Sequence, residues 1–381
     1  MDTPRTSEAP IRPQGPRNLL FQGADYRYEY VRPLIDNMVL ARRTALRGGE
    51  PPSDVLLRRV VLPPKLERRQ RALEEVQLAA HLHHPHIAQV YGLEQYDGRP
   101  YVVTEFLPGC FLDTAIGTAL ERRHKLSPSL ACYIAVALAD ALHYAWHCTD
   151  KKGQPLHVVH RAVSPMTIRL GLEGQVKLTD FGVAWSELTG RTPTAPHVLR
   201  ADVAYGAPEL MRLQPPDGRA DLYSLGMVLL EMLAGHYPLD PPDVAQLPPE
   251  DPAVARYNAR VRPERLAWTS AGELANRIQR FGPEDVERAA PHVPGQLKRI
   301  VHKMLRSDPA DRYQTGAELR ADLLSYLQQA KPFGAPEAAA ELAALVFKKK
   351  SPDETHVFPA EKGVVPTPEE DAMAWKNKPQ H

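Results

Sequence analysis

Residues Val158–Trp185 read VVHRAVSPMTIRLGLEGQVKLTDFGVAW, and the reading of this stretch decides how the rest of the chain is understood. Two runs rich in apolar and β-branched residues, Thr167–Leu170 and Gln175–Leu178, flank Glu173-Gly174. That pattern predicts two short strands closed by a tight hairpin turn. His160-Arg161-Ala162 stands just before the hairpin, and Asp180-Phe181-Gly182 just after it.

Upstream, Leu126–Trp146 has the apolar periodicity of a long helix, opened by Ser127-Pro128 as N-cap and first-turn proline. Earlier still the chain alternates like strands over Tyr28–Leu34, Met38–Arg43, Val55–Leu62, Ala88–Glu94 and Pro100–Phe106. Ile35-Asp36-Asn37 and Asp97-Gly98 supply turns, since Asp, Asn and Gly tolerate left-handed backbone. One strong helix, Leu66–Leu82, interrupts the strands and ends at His84-Pro85-His86-Ile87. Downstream lie Ala207-Pro208-Glu209, then Asp221-Leu222-Tyr223-Ser224-Leu225-Gly226, and finally Asp308-Pro309 with Asp311-Arg312-Tyr313.

These segments, in this order and with this spacing, resemble the protein kinase family over residues 26–330, and bacterial Ser/Thr kinases more than tyrosine kinases. The family's catalytic loop reads H-R-D-x-x-x-x-N and its metal-binding segment D-F-G. The resemblance implies an α+β, two-lobed fold: a small antiparallel-sheet lobe with one helix, and a larger, mainly helical lobe. It implies a hinge at residues 105–109, with Thr104 as gatekeeper and Glu105 to Leu107 as the strip facing an adenine. It makes His160, Phe181 and Asp221 structural, Asp221 anchoring the catalytic-loop backbone, and it pairs Glu209 with Arg312 as a buried ion pair. Arg58 falls at the position of the phosphate-pairing lysine. Counting back from Pro85 gives Glu75 as its helix partner, with Glu74 a rival by one residue.

The working positions depart from the family. Ala162 stands where the catalytic Asp belongs, Thr167 where the second metal-binding Asn belongs, and Ser164 where the loop Lys belongs. Ala201-Asp202 replaces the Gly-Thr whose hydroxyl bonds that Asp. The turn at residues 35–37 has no glycine, so the loop that lies over the phosphates in the family is missing. Arg169 occupies the place of an apolar residue beneath the adenine ring. A guanidinium there is costly to bury unpaired, yet is able to stack on a base. Asp180 is retained and is left as a weak ligand for a single Mg²⁺.

The chain of 381 residues is long enough for one such domain plus tails. A net charge of +1 gives no reason to expect nucleic acid or an anionic membrane as partner. No signal peptide is legible, and no apolar run approaches the ~18 residues of a membrane span. Cys110, Cys132 and Cys148 lack metal-type pairing and read as reduced, mostly buried thiols of a cytoplasmic protein. Many of the 38 prolines crowd into the termini, so residues 1–24 and 351–381 are expected to be disordered tails. The domain is expected over residues 25–330, with a small lobe to 106 and a large lobe from 110. An amphipathic helix at 331–350 should pack on the large lobe. Residues 238–294 form an extended region with helical pieces near Pro252–Arg265 and Ser270–Phe281; it carries Trp268 and reads either as surface decoration or as a partner-docking face. Thr189, Thr192 and Thr194 raise phosphorylation of the activation segment, with Arg161 as receptor.

Three functions follow from these residues. The first is a catalytically inactive scaffold or regulator in bacterial signalling, binding a protein partner such as an active kinase and requiring no cofactor. The second is a divergent kinase or nucleotidyl transferase with weak ATP-dependent activity, for which Asp202 is the nearest substitute base. The third is a nucleotide sensor without turnover that binds ATP and Mg²⁺ weakly.

Overall fold

A computed structural model of the chain describes residues 18–34, 38–59, 76, 78–96, 99–181, 204–239, 271–329 and 332–347. Two lobes are built from distinct chemistry. The small lobe holds β1 (Leu19–Gln22), β2 (Tyr26–Pro33), β3 (Met38–Ala45), β4 (Ser53–Arg59), β5 (Val90–Tyr96) and β6 (Arg99–Glu105) in one antiparallel sheet, ordered β1-β2-β3-β4-β6-β5. Period-2 alternation sends Val39, Ala41, Val55 and Leu57 to one face, where they pack with Leu20, Phe21, Tyr28 and Val103. Leu40, Leu56 and Arg58 therefore project from the opposite face.

The disordered tail expected over residues 1–24 does not hold to its full length. Residues 19–22 form a strand paired with β2, because Leu20 and Phe21 bury themselves against Tyr28 and Tyr96. The β2–β3 hairpin is closed by the Leu34 N–H donating to the Met38 carbonyl at 2.9 Å, with Pro33 across from Val39. The turn residues 35–37 and 97–98 lie outside the described residues, as do residues 60–75 of the first expected helix. Val76 and residues 78–81 are helical, and Leu78 and Leu82 join the large-lobe core.

Past the hinge, β7 (Gly109–Phe111), β8 (Ile168–Gly171) and β9 (Val176–Leu178) make a second sheet, ordered β7-β8-β9. The predicted hairpin is present, shifted by a residue: Thr167 closes a 3₁₀ turn, Pro165–Thr167, rather than opening a strand. The helices are α1 (Leu112–Glu121), α2 (Pro128–His147), α3 (Pro208–Met211), α4 (Gly218–Ala234), α5 (Ala271–Arg280), α6 (Pro283–Ala289), α7 (Gly295–Met304), α8 (Gly316–Gln329) and α9 (Ala335–Leu342), with one further π-turn at Ala343–Phe347. α2 is capped by Ser127, whose Oγ accepts from the Leu130 N–H, and has Pro128 in its first turn. It is the one helix among the described residues long and apolar enough to cross a membrane, and most of it lies inside the large-lobe core. α4 is buried all round from Ala220 to Ala234, the mark of a central helix. It starts on an Asp217 cap and stops at Gly235, whose φ of 79° ends the helix in left-handed backbone.

α9 packs on the large lobe as expected, burying Ala338 and Leu342. Of the 238–294 region, residues 240–270 lie outside the described residues, Pro252–Arg265 and Trp268 among them; the piece expected at Ser270–Phe281 is α5. All three cysteines are free thiols, Cys110 and Cys132 buried and Cys148 partly so, and burial pushes their pKa values up to about 12, 12 and 11.

Candidate active-site cleft

The loop between α2 and β8 is held from below by α4. Both oxygens of the buried Asp221 carboxylate accept backbone N–H groups, from His160 at 2.6 Å and from Arg161 at 2.8 Å. Two amides converging on one side chain hold Arg161 in left-handed backbone, φ 64°. Burial raises the Asp221 pKa to about 7 while those amides and the Arg161 charge pull it down.

His160 ties this loop to the segment that follows β9. Its Nε2 donates to the Thr179 carbonyl at 2.9 Å, and its Nδ1 accepts the Ala162 N–H at 3.2 Å. One donor and one acceptor define a neutral imidazole, and complete burial keeps it so by lowering its pKa to about 4. Phe181 meets the ring edge-on with centroids 4.5 Å apart. His160, Asp221 and Phe181 are thus engaged with the backbone and with each other's segments.

Ala162 presents a methyl group at the partly buried mouth of this loop. Thr167 turns inward: its Oγ1 accepts the Ser164 N–H at 3.1 Å and lies 3.0 Å from the carbonyls of Ala162 and Ser164. The hydroxyl is spent on shaping the loop. Ser164 is buried. Asp180 has φ 63° and projects into solvent, where both terminal nitrogens of Arg58 lie 3.4 Å from its Oδ1. Both side chains are nearly half exposed, 45% and 48%, which makes this a weak, screened pair. One carboxylate already facing a guanidinium, beside a neutral hydroxyl bonded to its own loop, does not fit a two-metal donor set. Among the described residues no three His, Cys, Asp or Glu side chains gather as a metal site.

At the hinge, the Glu105 carboxylate is engaged by its neighbours. Its Oε2 accepts Lys177 Nζ at 2.9 Å and the Gln89 N–H at 3.0 Å, and its own N–H donates to the Gln89 carbonyl, so the strand end is fastened from behind. Thr104 lies across from Leu56 in the β4–β6 ladder. Arg169 lies under the hinge, 4% exposed, with Nη2 donating to the Leu107 carbonyl at 2.6 Å and to the Gly109 carbonyl at 3.3 Å. Far below, Glu209 and Arg312 form the predicted buried pair.

The structure brings together His160, Ala162, Ser164, Thr167, Asp180, Phe181 and Asp221, sets Arg58 on Asp180, and places Arg169 against Leu107. Glu75, its rival Glu74, Asp202 and the threonines at 189, 192 and 194 lie outside the described residues. Sequence reading missed that Leu40 and Leu56 share the sheet face of Arg58, although their alternation with Arg58 along the strands carries that signal. It also missed Lys177 as the partner of Glu105.

The family model described as protein kinase domain matches residues 60–323. A tyrosine-protein kinase, MasK, of Myxococcus xanthus is 33% identical over 66% of this chain and 34% of its own length. A probable serine/threonine-protein kinase of Streptomyces coelicolor is 31% identical over 74% of this chain and 36% of its own. The Bacillus subtilis serine/threonine-protein kinase PrkC is 28% identical over 67% and 33%. The chain thus spans about a third of the length of these curated relatives. The crystal structure of the Mycobacterium tuberculosis PknI kinase domain shares the fold, with a TM-score of 0.50 at 22% identity over 80% of this chain and 97% of that one.

Proposed function

We propose, for a chain that belongs to the protein kinase family, that phosphoryl transfer has been lost and that the domain serves as a scaffold or regulator in bacterial signalling. The observation that supports this most is the loop at Ala162. Its frame is complete, with His160 and Asp221 in place, yet a methyl group stands where a substrate hydroxyl needs a base. A positioned base contributes about 10²–10⁴-fold to such a reaction, and placement of phosphate and metals carries most of the rest. Here the base, the second metal ligand and the glycine loop are absent together, so each loss removes the use of the others. The domain then acts through its surfaces on a protein partner in the cytoplasm, for which the activation segment and the 238–294 region are the candidate faces.

Incubation with labelled ATP, Mg²⁺ or Mn²⁺ and generic protein substrates tests this directly. No label should transfer to substrate or to the chain itself. Transfer that Asp180→Ala abolishes overturns the proposal and favours a divergent kinase. That second reading draws on relatives bearing kinase names and on Asp180, which stays half exposed beside Arg58. Mass spectrometry of the incubated chain separates a phosphate adduct from a nucleotide adduct.

A further inference from the structure

The cleft has two ends. The family's phosphate-end groups, Arg58 and Asp180, mark one of them. The other is bounded by the hinge backbone at Leu107–Gly109, whose carbonyls the Arg169 guanidinium meets. The family resemblance implies that a nucleotide with its phosphates near Asp180 would lay its base at that second end, along the hinge backbone.

We infer that Arg169 is a resident occupant of the base end, and that it excludes adenine nucleotides from the cleft. The side chain fills the role that a base would fill. Its guanidinium donates to the Leu107 and Gly109 carbonyls at 2.6 and 3.3 Å, and its central carbon stands 4.8 Å from the Phe111 ring centroid. The flat cation is thus bonded to two hinge carbonyls on its edge and stands over an aromatic ring on its face. Register fixes it there: Arg169 pairs with Phe111 in the β7–β8 ladder and with Lys177 in the β8–β9 ladder, so the backbone cannot carry the side chain aside without breaking both. Gly109 lets β7 come close, for a Cβ on it would lie 1.9 Å from the Leu170 carbonyl oxygen. Burial lowers the Arg169 pKa to about 10, which leaves it cationic at neutral pH. A base entering the slot competes with that cation for the two carbonyls in a place closed to water, and a buried charge that gives up hydrogen bonds is disfavoured.

This inference deepens the reading of the domain as non-catalytic, and binding must be measured apart from transfer. Calorimetric titration and thermal unfolding of the full chain with adenosine, Mg-ADP and Mg-ATP give the test. The wild type should show no binding and no shift at millimolar ligand. Arg169→Leu should bind adenosine and Mg-ADP at least about tenfold more tightly, with a matching rise in midpoint. Arg169→Lys, which keeps the charge but lacks the two-pronged fork, should gain less. Should Arg169→Leu not fold, Arg169→Met carries the same comparison. Binding of Mg-ATP by the wild type without transfer overturns this inference and leaves the proposed function standing. A folded Arg169→Leu that still binds nothing overturns it as well. Transfer by the wild type ends the proposed function whichever way the binding data fall.

Discussion

Arg312 grips Glu209 with both arms of its guanidinium, each hydrogen bond 2.8 Å long, although the two residues are 103 positions apart. Arg312 also donates to the carbonyls of Arg306, Ser307 and Arg219, and its guanidinium carbon lies 4.9 Å from the Tyr223 ring centroid. The pair is closed to solvent, with side-chain exposures of 0% and 8%, so it has few alternatives. The pair ties α3 to the chain just ahead of α8.

Glu209→Gln removes one charge and leaves Arg312 buried with a neutral partner. Breaking one member of a buried pair typically costs about 3–5 kcal/mol, so urea unfolding of the variant should show a midpoint clearly below wild type. The double variant Glu209→Gln/Arg312→Met should recover part of that loss. A single variant as stable as wild type would mean that the pair contributes shape without energy.

His160 sets a pH dependence. Its folded pKa, about 4, lies below the ordinary histidine value of about 6.5 in an unfolded chain. Between those values the unfolded state binds a proton that the folded state refuses, so stability falls as pH drops through that window. Near pH 5 the loss attributable to His160 is roughly 2 kcal/mol. His160→Phe keeps an aromatic ring against Phe181 but cannot titrate. The gap in unfolding midpoint between wild type and this variant should therefore narrow on going from pH 7 to pH 5. An unchanged gap across that range contradicts the assignment of a neutral buried imidazole.

The C-terminal helix is clamped to the large lobe by side chains that no motif announces. Glu341 accepts the Ser127 N–H at 2.7 Å and the Ser127 hydroxyl at 2.6 Å, and the same hydroxyl caps α2. Arg122, at the end of α1, donates to the carbonyls of Ala344, Leu345 and Val346. Glu341→Ala leaves the entry of α2 short of two partners and should lower stability by about 1–3 kcal/mol, read by chemical denaturation. Deleting the chain from residue 335 onward should lower it further, since Ala338 and Leu342 also lose their burial. Equal stability of the deleted and full chains would show that the helix merely rests on the lobe.

Gly109 is the narrowest joint of the hinge. Its φ is 149°, and a Cβ at this position would stand only 1.9 Å from the Leu170 oxygen, so there is no room for a side chain. Gly109→Ala should destabilise by about 3 kcal/mol or more, seen as a lowered thermal midpoint and reduced soluble yield. A variant with the wild-type midpoint would show that β7 can part from β8 freely.

Much of this architecture is readable along the chain alone. The Glu173-Gly174 hairpin and the Ser127-Pro128 cap are short-range patterns, and each formed within a residue or two of its expected place. The positions that lack chemistry, Ala162 and Thr167, are equally local, since a spacing from His160 suffices to find them. β1 was hidden because four residues in a proline-rich stretch show too little periodicity, and only Tyr28 and Tyr96 across the sheet make Leu20 and Phe21 worth burying.

The sequence by itself determined the kinase frame, the order of its elements and the identity of the missing groups, because those depend on residue type and spacing along one chain. Where the remaining polar groups spend their hydrogen bonds was decided by tertiary structure. Arg169 was open to two readings, a misplaced charge or a stacking partner, until the Leu107 and Gly109 carbonyls came within reach of it. Those partners lie 62 and 60 positions away, and no local pattern carries information over such a span. A buried polar group must find its complement wherever the fold brings one, so its role belongs to the folded chain.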